Sequence, residues 1–229
     1  MIELKNLCKT YVTAEMETTA LKDVTLSVAA GDFVAVKGPS GCGKSSLMNI
    51  LGLIDTPTSG SYEIDGADIA GLKENDLVKL RRDNIGFVFQ SFNLIDDLNI
   101  YENVALPLRY KGAPAKQSGR RVREALELVG LQPRAKHKPG QLSGGQQQRA
   151  AVARAIIADP KLILADEPTG NLDTRNGEDV MELIELLNEQ GTTIIMVTHS
   201  DAHAARAKRT VAMLDGRIVS DDAAATAGT

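Results

Sequence analysis

Short apolar runs, separated by glycines and polar turns, set the rhythm of this chain. Ile2 and Leu4, and later Val24, Leu26 and Val28, recur every second residue, which predicts half-buried strands. The polar stretch Val12 to Thr19 between them reads as a loop. Phe33-Val34-Ala35-Val36 is apolar throughout, as in a strand covered on both faces. It leads through a glycine-rich segment to Leu47-Met48-Asn49-Ile50-Leu51, which reads as the start of a helix. Asp55 to Gly60 is a turn cluster, Ser61 to Ile64 a strand, and Asp65-Gly66 a hairpin signal. The opening part therefore predicts a small antiparallel sheet wrapped around a βα unit.

Leu72 to Arg82 reads as a helix and Ile85 to Phe89 as a buried strand ending at Gln90. From Ser91 to about Pro160 the pattern turns mostly helical. Val122, Ala125, Leu126 and Val129 form one amphipathic stripe, closed by Gly130, with Arg120, Arg121 and Arg123 on a solvated face. Ser143 is placed to cap a helix that runs to about Ala158. Leu162 to Ala165 is short and fully apolar, as in a buried parallel strand. Val180, Leu183, Ile184 and Leu187 mark a helix ended by Gly191, and Thr192 to Val197 the next strand. Val211 to Leu214 and Arg217 to Val219 pair as a hairpin around Asp215-Gly216, and the small polar residues Ala223 to Thr229 predict a disordered tail. Strands alternating with helices place the chain in the α/β class.

Composition narrows the partners. A chain of 229 residues fits one large domain or two small ones, and its formal charge of −4 argues against nonspecific nucleic-acid binding. Cys8 and Cys42 have no His or Cys neighbours at metal-ligand spacing, so they read as reduced thiols of a cytosolic protein. The N-terminus lacks the apolar core of a signal peptide, and no run approaches the length of a membrane span. If the protein works at a membrane, another chain supplies the spanning part.

The chemistry concentrates where strands end. Gly38-Pro39-Ser40-Gly41-Cys42-Gly43-Lys44-Ser45 lies between an apolar strand and a helix, the setting in which this spacing cradles phosphates. Backbone N–H groups and the helix N-terminus would face phosphate oxygens, Lys44 would reach the β- and γ-phosphates, and Ser45 would ligate Mg²⁺. Asp166-Glu167 closes the run Leu162 to Ala165, where open α/β sheets put ligands. An Asp there can hold Mg²⁺, and Glu167 can orient or deprotonate an attacking water. His199, after the strand ending at Val197, can hydrogen-bond a γ-phosphate or serve a structural role. Tyr11 can stack on a nucleobase or pack on its own sheet.

The set Tyr11, Gly38–Ser45, Gln90, Leu142-Ser143-Gly144-Gly145-Gln146, Asp166-Glu167, Asp173 and His199 resembles the ATP-binding cassette family over essentially the whole chain. The resemblance implies a phosphate-loop (P-loop NTPase, RecA-like) core with an antiparallel β subdomain (1–90 and 161–222) and an inserted helical subdomain (91–160). It further implies that Tyr11 stacks on adenine, and that the loop with Lys44, Ser45, Ser46 and Gln90 holds phosphate and Mg²⁺, with Asp166 supporting the metal. Glu167 becomes the general base and His199 the γ-phosphate sensor. Ser143, Gly144, Gly145 and Gln146 face ATP held by a second copy, and Asp173 connects the two sites. ATP and Mg²⁺ are then the cofactors, and two cassettes close head to tail on two ATP molecules. An integral membrane permease or mechanotransmission subunit senses the closing, which puts the ATPase on the cytoplasmic face of the membrane. The segment Ser91 to Leu106, with Phe92, Leu94, Ile95 and Tyr101, serves either as the groove for that subunit or as core.

Ile85 to Ile95 and Asp166-Glu167-Pro168-Thr169-Gly170-Asn171-Leu172-Asp173 resemble the ATPases of lipoprotein-release and macrolide-export systems, the LolD and MacB type. Ser46 departs from the threonine many relatives carry, but keeps a hydroxyl. Two other readings stand beside this one. The first is a soluble cassette ATPase of iron–sulfur assembly or another non-transport role. The second, a phosphate-loop kinase or GTPase, leaves Leu142 to Gln146 without an account.

Overall fold

Each apolar run named above falls in, or at the cap of, a regular element in the computed structural model, which describes residues 1–13 and 16–223. In chain order these begin with β1 (Ile2–Val12), β2 (Glu17–Val28), β3 (Phe33–Lys37), α1 (Lys44–Leu51), β4 (Ser59–Ile64), β5 (Ala67–Asp68), α2 (Glu74–Asn84) and β6 (Ile85–Phe89). There follow α3 (Ile100–Tyr110), α4 (Ala115–Leu128), α5 (Gly144–Ile156), β7 (Leu162–Asp166) and α6 (Thr174–Glu189). β8 (Thr193–Val197), α7 (Asp201–Ala204), β9 (Arg209–Leu214) and β10 (Arg217–Ala223) complete the order. The tail expected from Ala223 onward lies, beyond Ala223 itself, outside the described residues. The chain divides into two units, residues 1–79 with 193 onward, and residues 80–192.

In the first unit β1 pairs antiparallel with both β2 and β4, and β4 with β5. The predicted loop from Val12 to Thr19 is shorter than expected, because Tyr11 pairs with Thr18 and Val12 with Glu17. That end of the ribbon is exposed on both faces, so its residues carry no apolar alternation to read. β3 lies parallel to β8 on one side and to β9 on the other, and β9 turns back into β10. Burial on both faces explains the unbroken apolar runs of β3 and β8. Leu47, Ile50 and Leu51 of α1 are fully buried, and the buried Tyr62 donates its hydroxyl to Leu51 O at 2.8 Å. Asp65 and Asp215, both at positive φ, make the two Asp-Gly turns.

In the second unit β6 runs parallel to β7 in a register that sets Phe89 opposite Asp166. The helix expected from Leu72 begins at Glu74, and no residue of this α2 is buried. The stripe Val122, Ala125, Leu126 and Val129 is buried as its spacing requires, and Gly130 takes the positive φ that follows a helix end. Of the basic cluster on α4, Arg120 pairs with Glu124 and Arg121 with Asp159. α5 packs on β6, α3, α4 and α6. Asn99 and Glu102 cap α3 reciprocally, and the fully buried Asn103 accepts from Ile95 N at 2.7 Å while donating to the carbonyls of Ile95, Leu98 and Asn99.

Candidate functional site

The first unit brings together Tyr11, the glycine-rich loop and His199. The loop leaves the C-terminal end of β3 and enters α1 at Gly43, whose φ of 102° is left-handed and whose added Cβ would stand 2.5 Å from Ala20 O. No side chain caps α1, so its first-turn N–H groups keep the role an anion would fill. Lys44 folds back over the loop, donating from Nζ to Gly38 O at 2.7 Å and Pro39 O at 2.8 Å. Ser40, Gly41 and Ser45 are exposed, Ser46 is half-buried, and Cys42 is buried with its Sγ 3.8 Å from Lys44 Nζ. Val36 pairs with Val197, and Thr198 N donates to Val36 O, so the exposed His199 emerges from β8 beside the start of the loop. Just past these strand ends Lys37 pairs with Asp201.

Tyr11 sits on β1, 39% exposed as a residue, with its hydroxyl donating to Asp55 Oδ2 at 3.0 Å. Lys9 Nζ stands 4.9 Å from the ring centre and donates to Asp55 Oδ1 at 2.6 Å and Thr56 O at 2.8 Å. Burial pushes the Asp55 carboxyl up, but hydrogen bonds from Lys9, the Thr56 N–H and Tyr11 outweigh it and hold it below the usual range. This group therefore stabilises the fold above the ordinary carboxylate range, and the contribution is lost as pH falls through its lowered pKa. Asp55→Asn is expected to cost about 2 kcal/mol, since Lys9 keeps its charge and loses its anion. Urea unfolding measures this, and an unchanged midpoint would contradict it.

The second unit brings together Gln90, Ser143 to Gln146, Asp166, Glu167 and Asp173. Gln90 follows β6, and Asp166 and Glu167 close the neighbouring β7. Glu167 holds a positive φ of 45°, and its carbonyl accepts from Gly170 N at 3.0 Å, which winds the turn that follows. Gln90 Nε2 donates to Asn171 Oδ1, and Asn171 Nδ2 returns a bond to Gln90 O, both at 3.1 Å. A Cβ at Gly170 would stand 2.7 Å from Gln90 Nε2, so a side chain at that position would push the amide aside.

Ser143 caps α5 as its position predicted, and Gln146 completes the cap. Its N–H donates to Ser143 Oγ while its Oε1 accepts from Ser143 N at 3.1 Å. The Gln146 side chain is thus spent within its own helix start, a role signalled by Ser-x-x-Gln and missed in the sequence. Asp173 caps α6 and accepts from Asn176 N at 2.9 Å and Asn176 Nδ2 at 2.7 Å, bonds that lower its pKa. A Cβ on Gly145 would meet Asn176 Oδ1 at 2.1 Å, so the first turn of α6 reaches the start of α5. In the segment Ser91 to Leu106, Ile100, Val104 and Ala105 are core, Ile95 is exposed, and Phe92, Leu94 and Tyr101 lie between. Ser45 in one unit, and Gln90 and Asp166 in the other, are oxygen donors with a single carboxylate among them. Hard oxygen donors with few carboxylates suit Mg²⁺, which keeps waters and takes phosphate oxygens, better than a cation that needs a protein cage.

The sequence profile of the ABC transporter family matches residues 21–170. The macrolide export ATP-binding/permease protein MacB 1/2 of Paracoccus denitrificans is 48% identical over 96% of this chain, which spans only 33% of that relative's length. The ABC transporter ATP-binding protein YvrO of Bacillus subtilis is 48% identical, with 97% of each chain covered. Among solved structures, the dimeric post-hydrolysis state of the ATP-binding cassette MJ0796, bound to ADP and Pi, superposes with a TM-score of 0.91. It shares 44% identity, with 98% of this chain and 99% of that one covered. A second dimeric structure of MJ0796 gives 0.91 and 45% identity.

Proposed function

Because this chain belongs to the ABC transporter family, we propose that it is the ATP-hydrolysing subunit of a transporter or mechanotransmission complex. The observation that carries the reading is the uncapped start of α1, with Lys44 folded over the loop that precedes it. Lys44 and the loop amides take the β- and γ-phosphates, while Tyr11 offers an aromatic face to adenine. Ser45, Gln90 and Asp166 hold Mg²⁺, which when bound offsets charge on the phosphate oxygens. Glu167 takes a proton from the attacking water, and His199 hydrogen-bonds the γ-phosphate. Hydrolysis of this kind needs positioned charge and an in-line water more than covalent chemistry.

Ser143 and Gly145 reach ATP held by a second copy, so two chains close head to tail and hydrolysis reopens them. The dimeric MJ0796 structures support this arrangement. The partner that feels the motion is a membrane permease with an extracytoplasmic domain; the MacB name joins an ATP-binding part to a permease, and YvrO is matched over nearly its whole length. Among the described residues no helix is long and apolar enough to cross a membrane, which suits a subunit held on the cytoplasmic face by that partner. An iron–sulfur assembly role finds no support in these relatives' names.

Mixing tests the shared sites. Ser143→Arg and Lys44→Ala are each expected to be inactive alone, while an equimolar mixture recovers part of the activity through one intact composite site per mixed dimer. Full wild-type activity from the mixture would mean that each chain completes its own site.

A further inference from the structure

Gln148 lies one turn beyond Gly144 on α5 and has no exposed surface. Its Nε2 donates to Pro168 O at 2.6 Å and to Phe89 O at 3.3 Å. Pro168 directly follows Glu167, and Phe89 directly precedes Gln90. One buried amide thus grips the backbone beside both residues. Its orientation is fixed, because exchanging oxygen for nitrogen would set two carbonyl oxygens against a third. The remaining atom, Oε1, is buried without a hydrogen-bond partner. An orphaned buried acceptor costs about 1–3 kcal/mol, a cost that an apolar side chain of similar length would avoid. Helix packing alone therefore does not account for a glutamine here; the grip on the two carbonyls does.

The segments it holds are the ones least able to hold themselves. Glu167 has a φ of 45°, and Phe92 and Asn93, just past Gln90, have φ of 60° and 49°. Two turns further along α5, Arg154 donates to Phe92 O at 2.8 Å and also to Asn93 O, and burial lowers its pKa. The same helix thus fastens the chain on both sides of Gln90 and at the turn after Glu167.

We infer that Gln148 is a positioning residue for hydrolysis, fixing Glu167 and Gln90 through the carbonyls of Pro168 and Phe89. This rests on the reading of Glu167 as general base. Misplacing a reacting group by about 1 Å can cost 10²-fold, so removing a backbone anchor one residue away is expected to be felt mainly in kcat.

The test uses the full chain, with steady-state ATP hydrolysis and thermal melting of Gln148→Met, Glu167→Gln and the double variant. Gln148→Met is expected to lower kcat roughly 10–100-fold, with the KM for ATP and the melting temperature near wild type. In the Glu167→Gln background the same change is expected to add little, since both act on one step. Gln148→Leu repeats the measurement should the methionine variant fold poorly. Wild-type kcat in the Gln148 variants beside a crippled Glu167→Gln overturns the inference and leaves the base in place. Losses that multiply in the double variant, or a melting temperature that falls with kcat unchanged, also overturn it. Undiminished turnover in Glu167→Gln alone removes the base, and the inference with it, by a result the Gln148 variants do not produce.

Discussion

Lys44→Ala is expected to cut ATP turnover by roughly 10²–10³-fold, the cost of removing one preorganised charged donor from a phosphate site. Two effects combine at this position. The ammonium is the only Lys or Arg charge that the loop itself carries, and its three donors suit phosphate oxygens. It also ties the loop together through Gly38 O and Pro39 O, so alanine both removes the charge and unlatches the loop. Lys44→Arg separates them, because it keeps the charge but its planar, longer head does not reproduce the ammonium's geometry. Turnover at saturating ATP, together with binding of a fluorescent nucleotide, measures both contributions. Turnover equal to wild type in Lys44→Ala would remove the phosphate-loop assignment and everything built on it.

The parts of this chain that could be read from its sequence are those where function or burial restricts several neighbouring residues at once. Gly38 to Ser45 combines glycine spacing, a lysine and a hydroxyl between an apolar strand and a helix, and few other structures need that combination. Asp166-Glu167 stood out because Leu162 to Ala165 before it is buried throughout. Residues that act across long sequence separations were not legible. Gln148 bonds to Phe89, 59 residues away, and Arg154 to Phe92, 62 away, and nothing local marks either. The Gln90–Asn171 pair, 81 residues apart, is of the same kind. The ribbon end at Tyr11, Val12, Glu17 and Thr18 was hidden for the opposite reason, since strands exposed on both faces lack the alternation that burial imposes. The Ser143–Gln146 and Asp173–Asn176 caps lay between these cases, visible as spacing but obscured by the roles the family resemblance assigns to the same residues.

Glu167→Gln changes one oxygen to nitrogen and keeps the size of the side chain, so the turn after β7 should survive it. The bond from Gly170 N to Glu167 O involves only backbone, and the Gln148 side-chain amide reaches the main-chain carbonyls of Phe89 and Pro168, so none of these bonds uses the Glu167 side chain. What is lost is the acceptor for a proton from water. Turnover is expected to fall by roughly 10²–10⁴-fold, the usual worth of a positioned general base, while ATP still binds. If ATP closes two chains face to face and only its hydrolysis opens them, a chain that binds without hydrolysing must accumulate in the closed form. Light scattering of Glu167→Gln in ATP and Mg²⁺ should then report a dimer, and in ADP a monomer. The two readouts fail separately. A slow enzyme that stays monomeric at high ATP would keep Glu167 as base and discard the head-to-tail closure. A fast one that dimerises would keep the closure and move the base elsewhere. Only a slow, ATP-dependent dimer joins the carboxylate at the end of β7 to the motion that a membrane partner would use.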